Sequence, residues 1–279
     1  MGIVNPFVFQ ADSPIVNEIY ENNPNYLIEY DVCQPRKICA IYFSSNNIYY
    51  PNTEEAFIDS IKQKNKYEWF NLRIPCANKH LFLRDIKKQW YLSGINININ
   101  SPQKLFDFLR EETLGYSVIL SGSSAGGFAS VLYGSLLKAD KVYSFNGQFE
   151  IESLLHCSNA KTDPLVFRYA DDKDLRKFYD VKPYINKYTN IFYFYSAGSQ
   201  WDNSQFNHIK KTNVSVISFL TRRHGIPFPK INLPVIFSLT MSELKKMTKK
   251  IHLPLLFSLK QAGSIKTIKG LFLQWKMKN

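Results

Sequence analysis

A serine framed by glycines is the side chain of this sequence best suited to act as a nucleophile. The stretch YSVILSGSSAGGFASVLYG (residues 116–134) contains Gly122, Ser124 and Gly126 in the pattern G-x-S-x-G. The apolar run before the pattern is typical of a strand, and the small residues after it allow a helix to start close against a sheet. A sharp turn between the two would expose one hydroxyl, as in a nucleophile elbow. The pattern selects Ser124 over Ser123.

Two other interpretations of this turn exist. One is a glycine-rich corner that has no chemical role. The other is a phosphate-binding loop, but no Gly-Lys-Ser or Gly-Lys-Thr ends the stretch as such a loop requires. The position of the pattern between a predicted strand and a predicted helix favours the nucleophile.

An acid and a histidine follow in the order that a serine on such a turn needs. Asp202 comes after the apolar run at 190–198, and His224 comes after the run at 214–220. In a Ser-His-Asp triad the histidine takes the serine proton, and the acid orients the imidazole and stabilises its cation. We therefore predict that His224 is the base and that Asp202 is the orienting acid.

The other titratable candidates fit this order less well. Asp180 is the main rival acid, but it precedes the late strand. The remaining histidines lie before the late strands, within a predicted helix, or in the basic C-terminal region. They are His80, His156, His208 and His252.

Backbone N–H groups are the expected donors to the oxyanion that such a reaction forms. The N–H of Ala125 directly follows the nucleophile, and it would act together with the positive end of the helix that begins there. A second donor normally lies in the loop after an early strand. Here that loop reads YFSSNN, so we expect a backbone N–H of Ser44, Ser45 or Asn46 to supply it, with Ser44 and Ser45 as the main candidates.

The elements that must position these residues alternate between strands and helices. Nearly continuous apolar runs are typical of strands covered on both faces, as in a parallel sheet. The pattern predicts a three-layer α/β/α sandwich with a mostly parallel, doubly wound sheet. The predicted strands are residues 38–43, 67–74, 116–122, 141–147, 190–198 and 214–220, and the predicted helices are 53–65, 101–115 and 124–140. The charged, proline-containing segment 156–188 is either a lid or an ordinary helical crossover.

Positive charge is concentrated towards the C-terminus. Of the net charge of +12, residues 241–279 carry +8, because they hold nine lysines and a single acid, Glu243. A near repeat, LPVIFSL and LPLLFSL, has proline near the start of each unit, which predicts two short amphipathic helices. We therefore divide the chain into a catalytic domain, 1–230, and a basic helical tail, 231–279.

Two arrangements of this tail are open. Its apolar faces could pack on the catalytic domain while the lysines remain solvated. Alternatively, residues 241–279 could contact a membrane surface or an anionic polymer.

Cysteine usage and the N-terminal residues bear on location and cofactors. The four cysteines show neither C-x-x-C pairs nor the spacing of a disulfide framework, so we expect no metal site and a reducing compartment. The N-terminal residues lack the basic and apolar regions of a signal peptide, and no apolar run approaches the roughly 20 residues of a membrane helix. We expect a cytoplasmic protein without a permanently bound cofactor.

Three motifs carry a resemblance to a known superfamily. SGSSAGG (121–127), SAGSQWD (196–202) and RRHGIPF (222–228) resemble the α/β-hydrolase superfamily. More narrowly, the chain looks like the serine acyltransferases that O-acetylate bacterial capsular and other surface polysaccharides.

The narrower resemblance implies a reaction and its partners. Ser124 would accept an acetyl group from acetyl-CoA and pass it to a sugar hydroxyl in a ping-pong reaction. A polysaccharide acceptor, which could be anionic, and acetyl-CoA would be the partners, with a peripheral contact of residues 241–279 at the inner membrane face and no nucleic acid. A carboxylesterase or deacetylase with the same triad is the alternative function, and a non-catalytic binding protein on this fold is the third.

Overall fold

One sheet of eight strands runs through the described part of this computed structural model, which comprises residues 7–31, 37–157 and 164–276. The strand order is β1-β3-β2-β4-β5-β6-β7-β8. Strand β1 is antiparallel to β3, and every other neighbouring pair is parallel. The strands are β1 (Tyr26–Tyr30), β2 (Ile38–Phe43), β3 (Lys79–Leu83), β4 (Ser117–Ser123), β5 (Lys141–Phe145), β6 (Asn190–Ser196), β7 (Val214–Phe219) and β8 (Ile251–His252). The predicted mostly parallel, doubly wound sheet is confirmed.

Helices occupy most of the connections between these strands. They are α1 (Phe9–Asp12), α2 (Pro14–Asn22), α3 (Glu54–Phe57), α4 (Pro102–Glu112), α5 (Ala125–Leu137), α6 (Leu154–Cys157), α7 (Pro164–Arg168), α8 (Lys173–Arg176), α9 (Gln200–Ile209), α10 (Leu233–Ser238), α11 (Met241–Met247), α12 (Pro254–Ala262) and α13 (Ser264–Lys276). A π-helical turn (Ile58–Gln63) continues α3, and two 3₁₀ turns occur at Lys182–Tyr184 and Lys230–Asn232.

Each face of the sheet carries its own hydrophobic cluster. One cluster packs α5 against the sheet, and α5 is buried on all sides from residue 125 to 135 because it is apolar all round. The other cluster is rich in aromatic rings, among them Trp69, Phe145, Phe194 and Phe219. Burial on both faces explains why the central strands read as continuous apolar runs.

The predicted strand at 67–74 is wrong. These residues form turns, and β3 lies a few residues later, at Lys79–Leu83. Tyr67, Trp69 and Ile74 of this stretch are buried because they pack on the sheet face, where Trp69 Nε1 donates to the carbonyl oxygen of Phe43 at 2.9 Å. Packing therefore accounts for the apolar residues that suggested a strand.

The C-terminal helices that the near repeat predicts are present as α10 and α12. Leu233, Phe237 and Phe257 are buried in the same aromatic cluster as the sheet residues, and β8 pairs with β7. The first half of the predicted tail therefore packs on the sheet. The boundary at residue 230 stays a prediction. Among the helices of the described ranges, none combines the length and apolar character needed to cross a membrane.

Candidate active site

Ser124 lies at a strained turn between the end of β4 and the start of α5. Its backbone has φ +53° and ψ −123°, which a side-chain-bearing residue rarely adopts. The glycines of the motif make the turn sterically feasible. A Cβ on Gly122 would lie 2.1 Å from the Gly126 carbonyl oxygen, and one on Gly126 would lie 2.2 Å from that of Phe43. The helix can therefore begin directly against the ends of β2 and β4.

The three side chains singled out by the sequence meet at this turn. His224 Nε2 lies 2.9 Å from Ser124 Oγ, and His224 Nδ1 lies 2.8 Å from Asp202 Oδ1. The histidine side chain is 40% exposed and the aspartate side chain 1% exposed. An accessible imidazole between a hydroxyl and a buried carboxylate is the arrangement that removes a proton from serine and stabilises the resulting imidazolium.

Asp202 sits in the first turn of α9, directly after β6. Ser199 caps this helix by accepting a hydrogen bond from the Asp202 N–H at 3.3 Å. The positive end of the helix favours a carboxylate at this place. Within the described residues, Oδ2 of this buried carboxylate has no hydrogen-bond partner, so its contact with His224 is made through Oδ1 alone.

Asn146, which the sequence analysis did not single out, holds the loop that carries the histidine. Its Nδ2 donates to the carbonyl oxygens of Gly225 at 2.6 Å and Arg223 at 3.2 Å, the two residues that flank His224. Its Oδ1 accepts from the Ser196 N–H at 2.8 Å. This buried amide therefore ties the end of β6 to the His224 loop.

Gln148 is a second residue that the sequence motifs did not indicate, and it faces the hydroxyl of Ser124. Its Nε2 lies 3.2 Å from Ser124 Oγ and 3.5 Å from His224 Nε2, while Trp90 Nε1 donates to its Oε1 at 3.1 Å. Because indole nitrogen is only a donor, the tryptophan fixes which end of the amide faces Ser124. Both Asn146 and Gln148 follow β5, at the same sheet edge as the serine, and that position is the signal that could have found them.

The loop that carries Trp90 is itself fixed by a buried carboxylate. Asp85 accepts hydrogen bonds from the backbone N–H groups of Gln89 at 2.6 Å, Tyr91 at 2.9 Å and Lys87 at 3.1 Å. Burial raises the pKa of Asp85 to about 6, although these N–H donors act to lower it. Three residues of this loop have positive φ, so side-chain support compensates for an unfavourable backbone.

The expected oxyanion donors differ in their availability. As the first residue of α5, Ala125 has an N–H with no acceptor within its own helix. The Ser44 N–H donates to the Leu83 carbonyl oxygen at 3.0 Å, so it is already paired, and its expected role as a donor stays a prediction. The Ser45 N–H donates to Glu68 Oε2 at 2.6 Å, so it becomes available only when this carboxylate is displaced.

A pocket of about 240 Å³ opens beside the serine. Among the described residues of its wall, Glu68 is acidic, and Arg223 and Lys230 are basic. No carboxylate in the described ranges lies within ion-pair distance of Arg223 or Lys230. The remaining lining residues are Ser45, Asn46, Asn47, Ser123, Ser124, His224, Gly225 and Ile226.

The segment 156–188 lies between β5 and β6, and none of its described residues lines this pocket. In its described part, Val166, Tyr179 and Val181 are buried in the cluster on the α5 face of the sheet. The rival acid Asp180 lies in the same connection, where His208 Nε2 contacts its Oδ1 at 2.9 Å. Asp180 therefore pairs with His208 and not with His224.

Comparison with known proteins gives matches among solved structures alone. No family model matches the chain, and no curated protein does. One similar structure is the capsule O-acetyltransferase of Neisseria meningitidis serogroup A in complex with caged gadolinium (13% identity, 69% of this chain and 82% of that chain, TM-score 0.48). Others are esterase B from Lactobacillus rhamnosis (12%, 70% and 70%, TM-score 0.41) and an S-formylglutathione hydrolase from Agrobacterium tumefaciens (10%, 80% and 89%, TM-score 0.43).

The order of the sheet strands, the antiparallel first strand and the strand-turn-helix at the serine make this an α/β-hydrolase-type fold.

Proposed function

We propose that this protein is a serine acyltransferase that moves an acetyl group from acetyl-CoA to hydroxyls of a bacterial surface polysaccharide. The observation that carries the proposal is the continuous chain of hydrogen bonds from Ser124 through His224 to Asp202 at the end of a parallel sheet. Such a chain activates a hydroxyl for attack on an acyl carbon.

In the first half of the reaction, Ser124 Oγ attacks the thioester carbonyl carbon while His224 Nε2 takes the hydroxyl proton. The negative charge develops on the carbonyl oxygen, where the Ala125 N–H and the start of α5 stabilise it. The carbon–sulfur bond then breaks, and the leaving thiolate takes the proton from His224. Asp202 stabilises the imidazolium throughout this step.

In the second half, a sugar hydroxyl attacks the acetyl group on Ser124. His224 takes the proton of this hydroxyl and returns it to Ser124 Oγ when the ester bond to the enzyme breaks. Water in the place of the sugar would make the same steps a hydrolysis. Transferase and esterase therefore differ in which hydroxyl reaches the acyl-enzyme.

The charges around the pocket support an anionic substrate. Arg223 and Lys230 lie at its wall without a carboxylate partner in the described ranges. Guanidinium and ammonium groups bind phosphates, which are present in CoA, and carboxylates, which are present in acidic glycans. This feature favours acetyl-CoA and an acidic acceptor over a neutral ester.

The proposal is tested by giving the purified protein acetyl-CoA and a chromogenic acetyl ester, each with and without polysaccharide acceptors. We expect CoA release that increases with the acceptor, together with acetylated polysaccharide detected by mass spectrometry. Ser124→Ala should lower both activities by at least about 1,000-fold, because no acyl-enzyme can form.

Ser123→Ala is the matched control, since Ser123 also borders the pocket but its hydroxyl has no hydrogen bond to His224 within the described residues. It should keep most of the activity. Ester cleavage that ignores every acceptor, together with no use of acetyl-CoA, would make the protein an esterase. Full activity of Ser124→Ala would refute the nucleophile.

A further inference from the structure

A shallow groove of about 490 Å³ lies between α11, β8 and α12, on a part of the chain that the catalytic residues do not use. Its apolar lining includes Ile251, Leu253 and Leu256, which are 63%, 47% and 59% exposed. Large apolar side chains at this exposure and in one groove are typical of a surface that contacts a partner.

Lysines surround the same groove. Lys246, Lys250 and Lys260 line it, and Glu243 is the only acid among the described residues that line it. Each of the three lysines lies beyond ion-pair distance of the carboxylates in the described ranges. The next helix, α13, repeats the combination with exposed Ile265 and Ile268 beside lysines.

We propose that this surface, formed by the groove and the exposed face of α13, docks on a membrane that contains anionic lipids. Apolar side chains would enter the boundary between headgroups and acyl chains, and the lysine ammonium groups would contact lipid phosphates. Neither feature alone accounts for the surface, because the apolar groups need a hydrophobic partner and the lysines need an anionic one.

Other partners would satisfy either the lysines or the apolar side chains of this surface, but not both. A polysaccharide could neutralise the lysines, but its hydroxyl groups would leave Leu253 and Leu256 without an apolar partner. A second copy of the chain could cover these leucines, but a two-fold interface would bring the lysines of both copies together, which is unfavourable. An anionic bilayer satisfies both kinds of side chain.

The helices that carry this surface also contact an element of the pocket wall. Helices α12 and α13 pack on the 3₁₀ turn at Lys230–Asn232, where Asn232 Nδ2 donates to Ser258 Oγ at 2.7 Å. Lys230, the first residue of that turn, lines the pocket beside the nucleophile. The turn therefore connects the proposed membrane surface to the pocket wall.

Vesicle flotation of the full chain tests the proposal. We expect binding to vesicles of phosphatidylcholine with phosphatidylglycerol, little binding to phosphatidylcholine alone, and release by high salt. A lysine near an anionic surface contributes about fivefold to binding. The triple variant Lys246→Gln, Lys250→Gln, Lys260→Gln should therefore weaken binding about 100-fold.

A second variant and a control separate the apolar contribution from net charge. Leu253→Ser with Leu256→Ser should weaken binding about tenfold or more, because two side chains can no longer insert. The control triple variant Lys138→Gln, Lys210→Gln, Lys211→Gln removes the same charge from exposed sites elsewhere and should bind nearly as well as the unaltered protein. Thermal melts and chromogenic-ester turnover confirm that each variant is folded.

Three results would overturn the proposal. The first is the absence of flotation with anionic vesicles. The second is co-sedimentation with an acidic polysaccharide that the leucine variant leaves unchanged, which would assign the lysines to a glycan. The third is a concentration-dependent dimer that the leucine variant abolishes, which would assign the groove to a second copy. Flotation does not depend on turnover, so its outcome is independent of the proposed acyl transfer.

Discussion

The hydroxyl of Ser124 is held from two sides. Gln148 Nε2 can only donate, so Ser124 Oγ accepts from it, and the single hydroxyl proton is left for His224 Nε2. Trp90 keeps the amide in this orientation by occupying its oxygen. The Ser124 hydroxyl therefore donates its proton to a hydrogen bond with His224 Nε2 before any substrate binds. We assign Gln148 the role of a positioning residue for the nucleophile.

Two substitutions of Gln148 distinguish this role from simple packing. Gln148→Met keeps the volume but removes the donor, and it should lower kcat about tenfold with little change in KM. Gln148→Glu places a carboxylate near His224 Nε2 and so stabilises the imidazolium, which cannot act as a base. The acidic limb of the pH–rate profile should therefore move to higher pH. An unchanged profile in Gln148→Glu would exclude the assigned role.

At the scale of elements, the sequence predicts the features that short motifs determine. It does not predict contacts between residues that are far apart in the chain. The serine turn and the positions of Asp202 and His224 follow from short motifs placed after strands, and the side chains meet in the structure. Asn146 and Gln148 could not be found in this way. Their partners in the site lie 24 to 79 residues away, so their contacts depend on the order of the strands in the sheet.

The loop expected to supply the second oxyanion donor illustrates the same limit. The loop after β2 is visible in the sequence as small polar residues. Whether its N–H groups are free depends on Leu83, at the end of the adjacent strand β3, and on Glu68, in the turns at 67–74. The distinction between Ser44 and Ser45 therefore required tertiary structure.

The close approach of α5 to the end of β2 is an element-scale feature with a direct test. In Gly126→Ala the new methyl group would overlap the Phe43 carbonyl oxygen, so the start of α5 must move away from the loop after β2. We expect a lower Tm and a loss of activity larger than the loss of stability explains. Gly115→Ala is the control, because its methyl group meets nothing within 4 Å.

Gly115 has φ +76°, so the control substitution costs only the left-handed backbone, about 1 to 2 kcal/mol. Chromogenic-ester turnover and thermal melts of the two variants provide the comparison. Equal turnover in the two variants at a temperature where both are folded would refute the importance of the close approach.

At the scale of the whole molecule, the C-terminal region is part of the scaffold on which the site is built. Phe219, at the end of β7, packs edge-on against Phe257 of α12 with ring centroids 4.9 Å apart. The His224 loop follows β7, and Phe228 at its far end contacts the same ring at 5.2 Å. The loop that carries His224 therefore packs against α12, a helix that comes some 30 residues later in the chain.

Neighbouring positions of α12 allow a matched test of this support. Phe257→Ala should lower the free energy of unfolding by about 3 to 5 kcal/mol, because it removes a buried ring from the aromatic cluster. Leu255→Ala, on the exposed side of the same helix, should change it by less than about 0.5 kcal/mol. Denaturant titration measures both, and similar values for the two variants would show that α12 does not support the sheet.

The late arrival of Phe257 along the chain also has a consequence for biosynthesis. By the time Phe228 has been synthesised, Ser124, Asp202 and His224 are all present, yet the rings of Phe219 and Phe228 still lack Phe257, which packs against both. A nascent chain at this stage exposes an aromatic surface that favours aggregation. The growing chain therefore contains Ser124, Asp202 and His224 before it contains α12, the helix that packs against the His224 loop.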